Sequence, residues 1–520
     1  MPTLNWIGKD KIITHHNSVP FRLLEKKYTY GAENSQNMII HGDNLYVLKS
    51  LLPHYEGKID VIYIDPPYNT GNEHWVYNDN VNDPRIQKWL GEVVGDESTD
   101  LSRHDKWLCM MYPRLKLMEK LLSSRGVLFI SIDEHEIHNL LCICYEIFGN
   151  INIDILVWQK TDSKVDRNTN SKVINRTKNV HEYVVCAFKN KKDTLFKKMM
   201  KMPQWAKQAT NPDKDPRGPW QSGIISFEEG HEKEDKESEY YYTITTPSGK
   251  KYTRMWFVLK EEWDRLVSDN RISFPKGGDG VPRLKTFQNE EKEYYMESLL
   301  NGVGTSSSAK DELEAIFGNR LLFDTPKPTK LIKELIRVAS SKESIILDCF
   351  AGSGTTGQAV LELNNEDKGN RKVIEVEMMD FAETMVAERI RKITQGFDGY
   401  NPIKGDFSFY ELGEPVFLED GNLNPAISEN EIKKLIYYAE THNEYEKTSN
   451  SAYLGISNST AYYIFYEKDK TTSLDWNTIG VVDIKADAYV IYADICNLSE
   501  EFMVKNHIQF KKIPRDIKKL

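Results

Sequence analysis

The sequence predicts an α/β protein organised around an open, doubly wound parallel sheet. Short runs of β-branched residues alternate with amphipathic stretches across residues 35–155, and this alternation is typical of strands separated by crossover helices. Two strand-like runs end abruptly in loops suited to ligands, one rich in proline and one rich in glycine. Because 520 residues exceed the usual size of a single core, two to four domains are expected.

Residues 1–34 are predicted to form an irregular N-terminal arm. The sheet then begins with alternating strand-like and helix-like segments, which are NMIIHGDN, KIDVIYIDPPY, RHDKWLCMMYPRLKLMEKLL, GVLFISIDEHE and EIHNLLCICYEIFG. Residues 153–160 and 180–189 are two further strand-like runs around a basic loop, and they favour a returning pair of strands at the sheet edge.

The α/β alternation stops between about 190 and 320, where aromatic residues, Gly-Pro turns and the charged run EEGHEKEDKESE indicate an inserted segment. It resumes with an amphipathic helix at 329–340, whose apolar residues share one face, and with the strand SIILDCF at 344–350. The strand-like AYYIFY and AYVIYADIC follow in a C-terminal α+β extension. The predicted domain boundaries are 1–34, 35–190, 191–320, 321–405 and 406–520.

The tetrapeptide Asp65-Pro66-Pro67-Tyr68 ends the strand-like run IDVIYI. Since the two prolines have fixed φ angles and no amide hydrogens, the backbone is stiff and its carbonyls lack local partners. A carboxylate, free carbonyls and an aromatic ring at the carboxyl end of a strand suit a planar, amine-bearing base. The alternative is a turn in which Asp65 caps a helix.

A glycine loop, AGSGTTG at 351–357, follows the strand SIILDCF and precedes the helical QAVLEL. This arrangement brings a backbone close to a nucleotide-like ligand. It is not a phosphate-binding P-loop, because Gln358 stands where that motif needs Lys followed by Ser or Thr. Glu377 ends the next strand-like run, at the distance where a carboxylate receives ribose hydroxyls. A tight left-handed turn without a ligand is the alternative for the loop.

Together these segments resemble the DNA adenine-N6 methyltransferases that use S-adenosylmethionine. In that family DPPY binds the target amine, and an FxGxG loop, here FAGSG at 350–354, binds the cofactor. Because Asp65 precedes Phe350, the motif order resembles the circularly permuted β class. HGDN at 41–44, DPPYNTG at 65–71, GTSS at 304–307 and FDTPKP at 323–328 further resemble the modification subunit of Type III restriction–modification systems.

The resemblance implies a Rossmann-like methyltransferase sheet, circularly permuted, with its catalytic half in 35–190, a target-recognition domain in 191–320 and its cofactor-binding half in 321–405. The implied catalytic residues are Asp65, Pro66, Pro67 and Tyr68, with Asp65 and the Pro66 carbonyl accepting the amine hydrogens and Tyr68 stacking on the extruded base. The implied cofactor-binding residues are Asp43, Lys327, Phe350, Ala351, Gly352, Gly354, Thr355 and Glu377.

Some of these assignments have structural alternatives. Asp43 would also serve as the N-cap of the helix NLYVLKSL, and Lys327 would also fit a surface lysine. Glu375 lies two positions before Glu377 and therefore on the same face of a strand. Glu377 is preferred as the ribose ligand because it ends the strand.

The net charge of −10 argues against indiscriminate nucleic-acid binding, but the charge is unevenly distributed. Residues 158–217 carry 15 Lys or Arg against 6 Asp or Glu, a local excess of nine positive charges. Such a stretch is suited to phosphate contacts with DNA. The alternative is a solvated polar loop.

Other features exclude several classes of protein. No run of eighteen apolar residues predicts a membrane span, and the start of the chain lacks the apolar core of a secretory signal, which predicts a cytoplasmic protein. The six cysteines form no CxxC pair and are expected to be buried thiols, and no ligand spacing implies a metal.

The sequence therefore predicts transfer of a methyl group from S-adenosylmethionine to adenine N6 in a specific double-stranded DNA sequence, with flipping of the target base. The resemblance implies a homodimer and a separate restriction subunit, and because no helicase Walker motif is found, cleavage and ATP use are assigned to that partner. The alternatives are cytosine-N4 methylation, whose enzymes more often have Ser in place of Asp65, and a non-catalytic DNA-specificity subunit. An RNA substrate also remains open.

Overall fold

A computed structural model describes residues 4–70, 88, 91–93, 102–161, 179–194, 196–197, 199–201, 209–288, 292–418, 422–443, 445–446, 451–468 and 470–513. Gly71 of DPPYNTG lies outside these residues, as does Trp75, for which the sequence predicts a place in the core or in a pocket wall. The central part of the basic stretch, residues 162–178, also lies outside them.

The helices of the described residues are α1 (Lys9–Ile12), α2 (His15–Ser18), α3 (Asn44–Tyr55), α4 (Arg103–Leu121), α5 (Ile137–Phe148), α6 (Lys260–Ser268), α7 (Ser306–Phe317), α8 (Thr329–Ala339), α9 (Thr355–Asp367), α10 (Glu388–Gln395), α11 (Glu429–Thr441) and α12 (Glu500–Lys505). A π-helical turn at Ala382–Ala387 leads directly into α10.

The strands are β1 (Arg22–Tyr30), β2 (Met38–His41), β3 (Ile59–Ile64), β4 (Leu122–Ile132), β5 (Ile153–Gln159), β6 (His181–Phe188), β7 (Met199–Lys201), β8 (Trp220–Gly223), β9 (Tyr241–Thr245), β10 (Lys251–Met255), β11 (Ile272–Ser273), β12 (Arg283–Phe287), β13 (Lys292–Tyr294), β14 (Leu299–Leu300), β15 (Ile345–Asp348), β16 (Lys372–Glu377), β17 (Phe407–Pro415), β18 (Tyr453–Ser457), β19 (Thr460–Ile464), β20 (Ser473–Leu474), β21 (Ala488–Ala493), β22 (Ile495–Cys496) and β23 (Ile508–Lys512).

Ten strands form the main sheet in the order β1-β17-β2-β16-β15-β3-β4-β6-β5-β14. The six strands from β17 to β4 are parallel, and the neighbours β1 and β6 are antiparallel to them. The predicted α/β fold is therefore confirmed. The returning pair at 153–160 and 180–189 forms β5 and β6, but the two-residue β14 lies beyond it, so the pair is not the outermost part of the sheet.

The sheet has a hydrophobic cluster on each face, as a doubly wound fold requires. Ile39 and Ile40 are adjacent on β2 and therefore point to opposite faces. Ile40 packs in a cluster with the buried faces of α3, α4 and α5, whereas Ile39 packs with residues of α9, the π-helical turn and α10. Short parallel strands with apolar residues on both faces follow from this double covering.

The prediction of an irregular arm over residues 1–34 is wrong, because these residues contain α1, α2 and β1. Residues 22–30 form β1, which pairs with β17 at the edge of the main sheet. The sequence pattern does not predict this strand, because the charged run Glu25, Lys26 and Lys27 is exposed and interrupts the alternation of apolar and polar residues. Charges are common on edge strands, where they discourage pairing with other chains.

The chain divides into two compact units, and the larger comprises residues 1–196 and 297–520. In addition to the main sheet it contains the four-stranded sheet β18-β19-β21-β23, which shares a hydrophobic cluster with α11. The smaller unit, residues 197–296, contains the sheet β11-β12-β8, the hairpin β9-β10 and α6. Its own core includes Trp256 and Trp263, whose ring centroids are 4.5 Å apart.

Among the described residues, no helix combines the length and the apolar character that a membrane crossing requires.

Candidate functional site

Five neighbouring parallel strands end in acidic residues at one edge of the main sheet. In spatial order these residues are Asp43 after β2, Glu377 in β16, Asp348 in β15, Asp65 after β3 and Asp133 after β4. The carboxyl ends of parallel strands meet at the same edge, which is where open α/β sheets bind ligands. The sheet therefore brings together motifs that lie far apart in the sequence.

Asp65 is the centre of a hydrogen-bonded network. The Lys327 ammonium donates to both oxygens of Asp65, at 2.8 Å each, and the Tyr68 hydroxyl donates to Asp65 Oδ1 at 2.8 Å. The same hydroxyl lies 3.1 Å from Oε2 of Glu182, whose other oxygen accepts from Lys160 at 3.2 Å. The network thus runs from Lys160 through Glu182, Tyr68 and Asp65 to Lys327, with a cation at each end.

Burial controls the protonation of these groups. Burial raises the pKa of Asp65 above its ordinary value, although the Lys327 ammonium and the Tyr68 hydroxyl oppose the shift. For Lys327 burial acts to lower the pKa, but the carboxylates of Asp65 and Glu182 outweigh it, and the pKa of Lys327 is raised. Lys327 therefore remains an ammonium, and its side chain is only 6% exposed, so the alternative of a surface lysine is wrong.

The backbone after β3 is fixed by contacts on both sides of the prolines. Trp107 Nε1 donates to the Pro67 carbonyl at 2.6 Å, and Asn69 has a left-handed conformation with φ of 58°. The Asn69 amide donates to the buried Glu136 and to the Arg103 carbonyl. The Pro66 carbonyl accepts no hydrogen bond from the residues that the structure describes. Asp65 bonds to side chains, so it does not cap a helix as the alternative required.

The glycine loop turns tightly between β15 and α9. Gly352 and Gly354 have positive φ angles of 53° and 72°. A Cβ on Gly354 would lie 2.9 Å from Val386 Cα, so a side chain at this position is excluded by space as well as by conformation. The Gly352 amide donates to Glu377 Oε2 at 2.9 Å, and the Met379 amide donates to Glu377 Oε1 at 2.9 Å.

Two more carboxylates lie beneath this loop. Asp348 accepts from the Phe350 amide and from the Thr356 hydroxyl, and burial raises the pKa of Asp348 to about 7. Glu375 accepts from the Gly357 amide at 2.9 Å, while its second oxygen is buried without a hydrogen-bond partner. Burial and the nearby Asp348 raise the pKa of Glu375 to about 8.

Two cavities meet at Lys327. The smaller, about 20 Å³, is lined by Asp65, Asp348 and residues 350–353 of the glycine loop. The larger, about 310 Å³, is lined by Tyr68, Glu182 and Lys160 among others, and Lys327 lines both. The proline motif and the glycine motif, separated by about 280 residues, therefore face one shared cleft.

The predicted site residues fall into two groups. Those at or beside the cleft are Asp65, Pro66, Pro67, Tyr68, Lys327, Phe350, Ala351, Gly352, Gly354, Thr355 and Glu377. Asp43 caps α3 through the Leu45 amide and pairs with Arg114, as its alternative predicted, and its role at the cofactor stays a prediction. The preference for Glu377 over Glu375 as a ribose ligand stays a prediction.

Sequence reasoning did not select Asp348, Lys160 or Asp133, although all three line these cavities. Asp348 had a recognisable signal, because it ends a strand immediately before a ligand loop, as Asp65 does.

Of the predicted basic stretch, Lys189, Lys191 and Arg217 are already in ion pairs with carboxylates. Its proposed contact with DNA phosphates stays a prediction.

A protein family described as DNA methylase matches residues 59–388 of this chain. The StyLTI Mod subunit of a Type III restriction-modification enzyme from Salmonella typhimurium is 34% identical over 385 residues, which are 71% of this chain and 57% of that protein. The EcoP15I Mod subunit from Escherichia coli is 31% identical over 434 residues, 72% of this chain and 64% of that protein. The chain thus spans about three fifths of the length of these relatives.

Two further similarities extend beyond the Type III enzymes. The type II methyltransferase M.KpnI from Klebsiella pneumoniae is 28% identical over 387 residues, 69% of this chain and 84% of that protein. The solved structure of PvuII DNA methyltransferase, described as cytosine-N4-specific, has a TM-score of 0.32 and 14% identity, and the match covers 68% of this chain and 86% of that one.

Proposed function

This chain belongs to the DNA methylase family, and we propose that it transfers a methyl group from S-adenosylmethionine to adenine N6 in a specific sequence of double-stranded DNA. The observation that supports this most directly is the shared cleft, in which Asp65 and Lys327 lie beside the glycine loop. The resemblance of the chain to Mod subunits favours adenine over cytosine.

The residues around the smaller cavity suit a zwitterionic nucleoside. Lys327 is the cation that would hold the methionine carboxylate, and Asp348 would face the ammonium. Glu377, which accepts from the Gly352 amide beside this cavity, would hold the ribose hydroxyls. The glycine loop leaves room for close approach of its backbone to the cofactor, because Gly352, which lines the smaller cavity, has no side chain. When bound, the cofactor supplies an electrophilic methyl group on a sulfonium centre.

Asp65, which lines the smaller cavity, and Tyr68, which lines the larger one, suit an amine-bearing base placed between the two cavities. Asp65 and the Pro66 carbonyl would accept the two amine hydrogens, which draws the nitrogen towards tetrahedral geometry and frees its lone pair. An ionised carboxylate has about four acceptor positions, so Asp65 has capacity for the amine while Lys327 and Tyr68 stay bonded. Alignment of the amine with the methyl group contributes on the order of 7–11 kcal/mol in favourable cases.

The larger cavity, about 310 Å³, is suited to a single flipped base. A base inside a duplex cannot reach this cleft, so it must be extruded at a cost of a few kcal/mol. Tyr68 would stack on the extruded ring, and Glu182 and Lys160 would face its polar edge. Stacking and these hydrogen bonds offset the cost of leaving the duplex.

The decisive experiment is methyl transfer to DNA, followed by mass spectrometry of the digested nucleosides. We expect N6-methyladenine, and N4-methylcytosine would overturn the adenine assignment. Asp65→Asn should reduce transfer by a factor of about 100 or more, because it removes the acceptor charge next to Lys327. Asp60→Asn is the matched control, since Asp60 lies at the opposite end of the same strand and bonds Ser123 and the Ile345 amide.

The partners are also part of this proposal. By similarity to the Mod subunits, the chain would act in the cytoplasm as a homodimer beside a separate restriction subunit that carries the cleavage activity. Co-purification of the two subunits and light scattering of the methyltransferase alone would test both points. Calorimetry with S-adenosylhomocysteine separates an enzyme from a non-catalytic specificity subunit, because only the enzyme needs to bind it.

A further inference from the structure

Arg389, in α10, is a buried arginine that neither motif includes. It is 1% exposed, and its guanidinium uses all three nitrogens. Nε donates to Gln358 Oε1 at 2.7 Å, Nη1 donates to the Ser353 carbonyl and to Thr355 Oγ1 at 3.0 Å each, and Nη2 donates to Thr329 Oγ1 at 3.2 Å.

The partners of Arg389 belong to the two segments that border the smaller cavity. Ser353 and Thr355 are in the glycine loop, and Thr329 begins the helix that follows Lys327. The Thr355 hydroxyl accepts from Arg389 and donates to the Lys327 carbonyl at 3.3 Å. A continuous chain of hydrogen bonds therefore runs from the guanidinium to the backbone of the residue shared by both cavities.

Stability alone does not account for this residue. Removing a guanidinium from water is costly, and the nearest carboxylate oxygen, in Glu312, is 3.7 Å away. Five neutral acceptors surround the charge, because Nη1 also donates to Ser353 Oγ at 3.3 Å. An apolar side chain of similar volume would often be as stable at such a place. What an apolar side chain cannot do is hold several acceptors at fixed distances, for which the planar fork of arginine is suited.

We propose that Arg389 is a positioning residue that fixes the spacing between the glycine loop and the Lys327 segment, and thereby sets the affinity for the cofactor without touching it. The inference rests on the proposed function, because it assumes that these two segments bind S-adenosylmethionine. It adds a residue outside the motifs and a separate property, namely cofactor affinity rather than the methyl-transfer step.

Arg371 provides a matched control. It is also buried, at 2% exposure. It lies just before β16, at the amino ends of the parallel strands, whereas the cleft lies at their carboxyl ends. Its guanidinium donates to Ser340, Asn364 and Asp367, none of which lines the cleft. Arg371→Met therefore reports what the loss of a buried arginine does to the fold, separately from any effect on the cofactor site.

The test is calorimetric binding of S-adenosylhomocysteine to the full chain, followed by steady-state kinetics. Arg389→Met should raise Kd and the KM for S-adenosylmethionine about tenfold or more, with kcat and the KM for DNA within about twofold of wild type. Arg389→Lys should have a Kd between those of the wild type and Arg389→Met, because one ammonium cannot reach all the acceptors. Arg371→Met should lower the melting temperature and leave Kd unchanged.

The outcomes are distinguishable. Wild-type protein that does not bind S-adenosylhomocysteine would contradict the proposed function itself. Wild-type binding with an unchanged Kd in Arg389→Met, or an equal loss in Arg371→Met, would overturn the role of Arg389 alone. If Arg389→Met does not fold, Gln358→Met is the alternative variant, because it removes the acceptor of Arg389 Nε and should raise Kd about threefold. An unchanged Kd in both Gln358→Met and Arg389→Lys would overturn the proposal.

Discussion

Glu375→Gln is expected to make the protein more stable, and increasingly so as the pH rises. Glu375 is completely buried, with one oxygen bonded to the Gly357 amide and the other without a hydrogen-bond partner, so its ionised form is costly. Its pKa is raised from 4.5 to about 8 in the folded protein. A glutamine keeps the acceptor for Gly357 and cannot ionise.

The sign and size of the effect follow from the raised pKa. Between pH 4.5 and about 8 the folded protein retains a proton that the unfolded chain has lost, so the free energy of unfolding of the wild type falls through that window. Each pH unit corresponds to about 1.4 kcal/mol, and the whole shift to about 5 kcal/mol. Asp348 contributes part of the shift. The free energy of unfolding of the variant, relative to that of the wild type, is therefore expected to be about 3–5 kcal/mol larger at pH 8.5 than at pH 4.

The assay is urea denaturation of wild type and variant at several pH values from 4 to 8.5. A stability difference that stays flat or shrinks as the pH rises would refute the argument. The same proteins test the choice of ribose ligand. Glu377→Gln should weaken binding of S-adenosylhomocysteine, whereas Glu375→Gln should leave it within about twofold, and the opposite pattern would move the ribose assignment to Glu375.

Three further changes test the cleft. Lys327→Met leaves Asp65 buried without its cation and should lower the free energy of unfolding by about 3–5 kcal/mol in urea titrations; an unchanged midpoint would contradict the pairing. Tyr68→Phe removes the hydroxyl between Asp65 and Glu182 but keeps the ring, so kcat should fall about 10- to 100-fold in methyl-transfer assays with little change in the KM for DNA; wild-type kcat would argue against a role for the hydroxyl. Gly354→Ala should lower both the stability of the protein and its affinity for S-adenosylhomocysteine. Gly399 has a similar φ but open space around it, so Gly399→Ala should lower the stability only, by about 1–2 kcal/mol. Equal binding by the two variants would show that contact with Val386 is unimportant.

The sequence was sufficient to predict the parallel sheet and the two loops of the cleft. Both loops follow apolar strands and consist of residues with unusual backbone properties, prolines in one and glycines in the other, so their signal is local. That Asp65 and the glycine loop face each other depends on the pairing of β3 with β15, which a local pattern does not show. The resemblance to a permuted methyltransferase supplied that information.

Other parts of the site could not be predicted because they depend on tertiary contacts. The resemblance implied a cofactor-binding role for Lys327, but only the fold reveals that its ammonium bonds both oxygens of Asp65. Arg389 lies in an amphipathic helix where an arginine would be expected to face solvent. β1 was missed for the same reason, since its strand conformation depends on pairing with β17 rather than on its own side-chain pattern.

The position of β15 between β3 and β16 has a consequence for the synthesis of the protein. β3 is complete at residue 64, but the strand that covers one of its edges begins only at residue 345. At about 5–20 residues per second, a ribosome needs about 15–60 s to make the intervening chain. During that interval the nascent protein carries the exposed edge of an apolar strand, the kind of surface that chaperones bind and that drives aggregation when left uncovered.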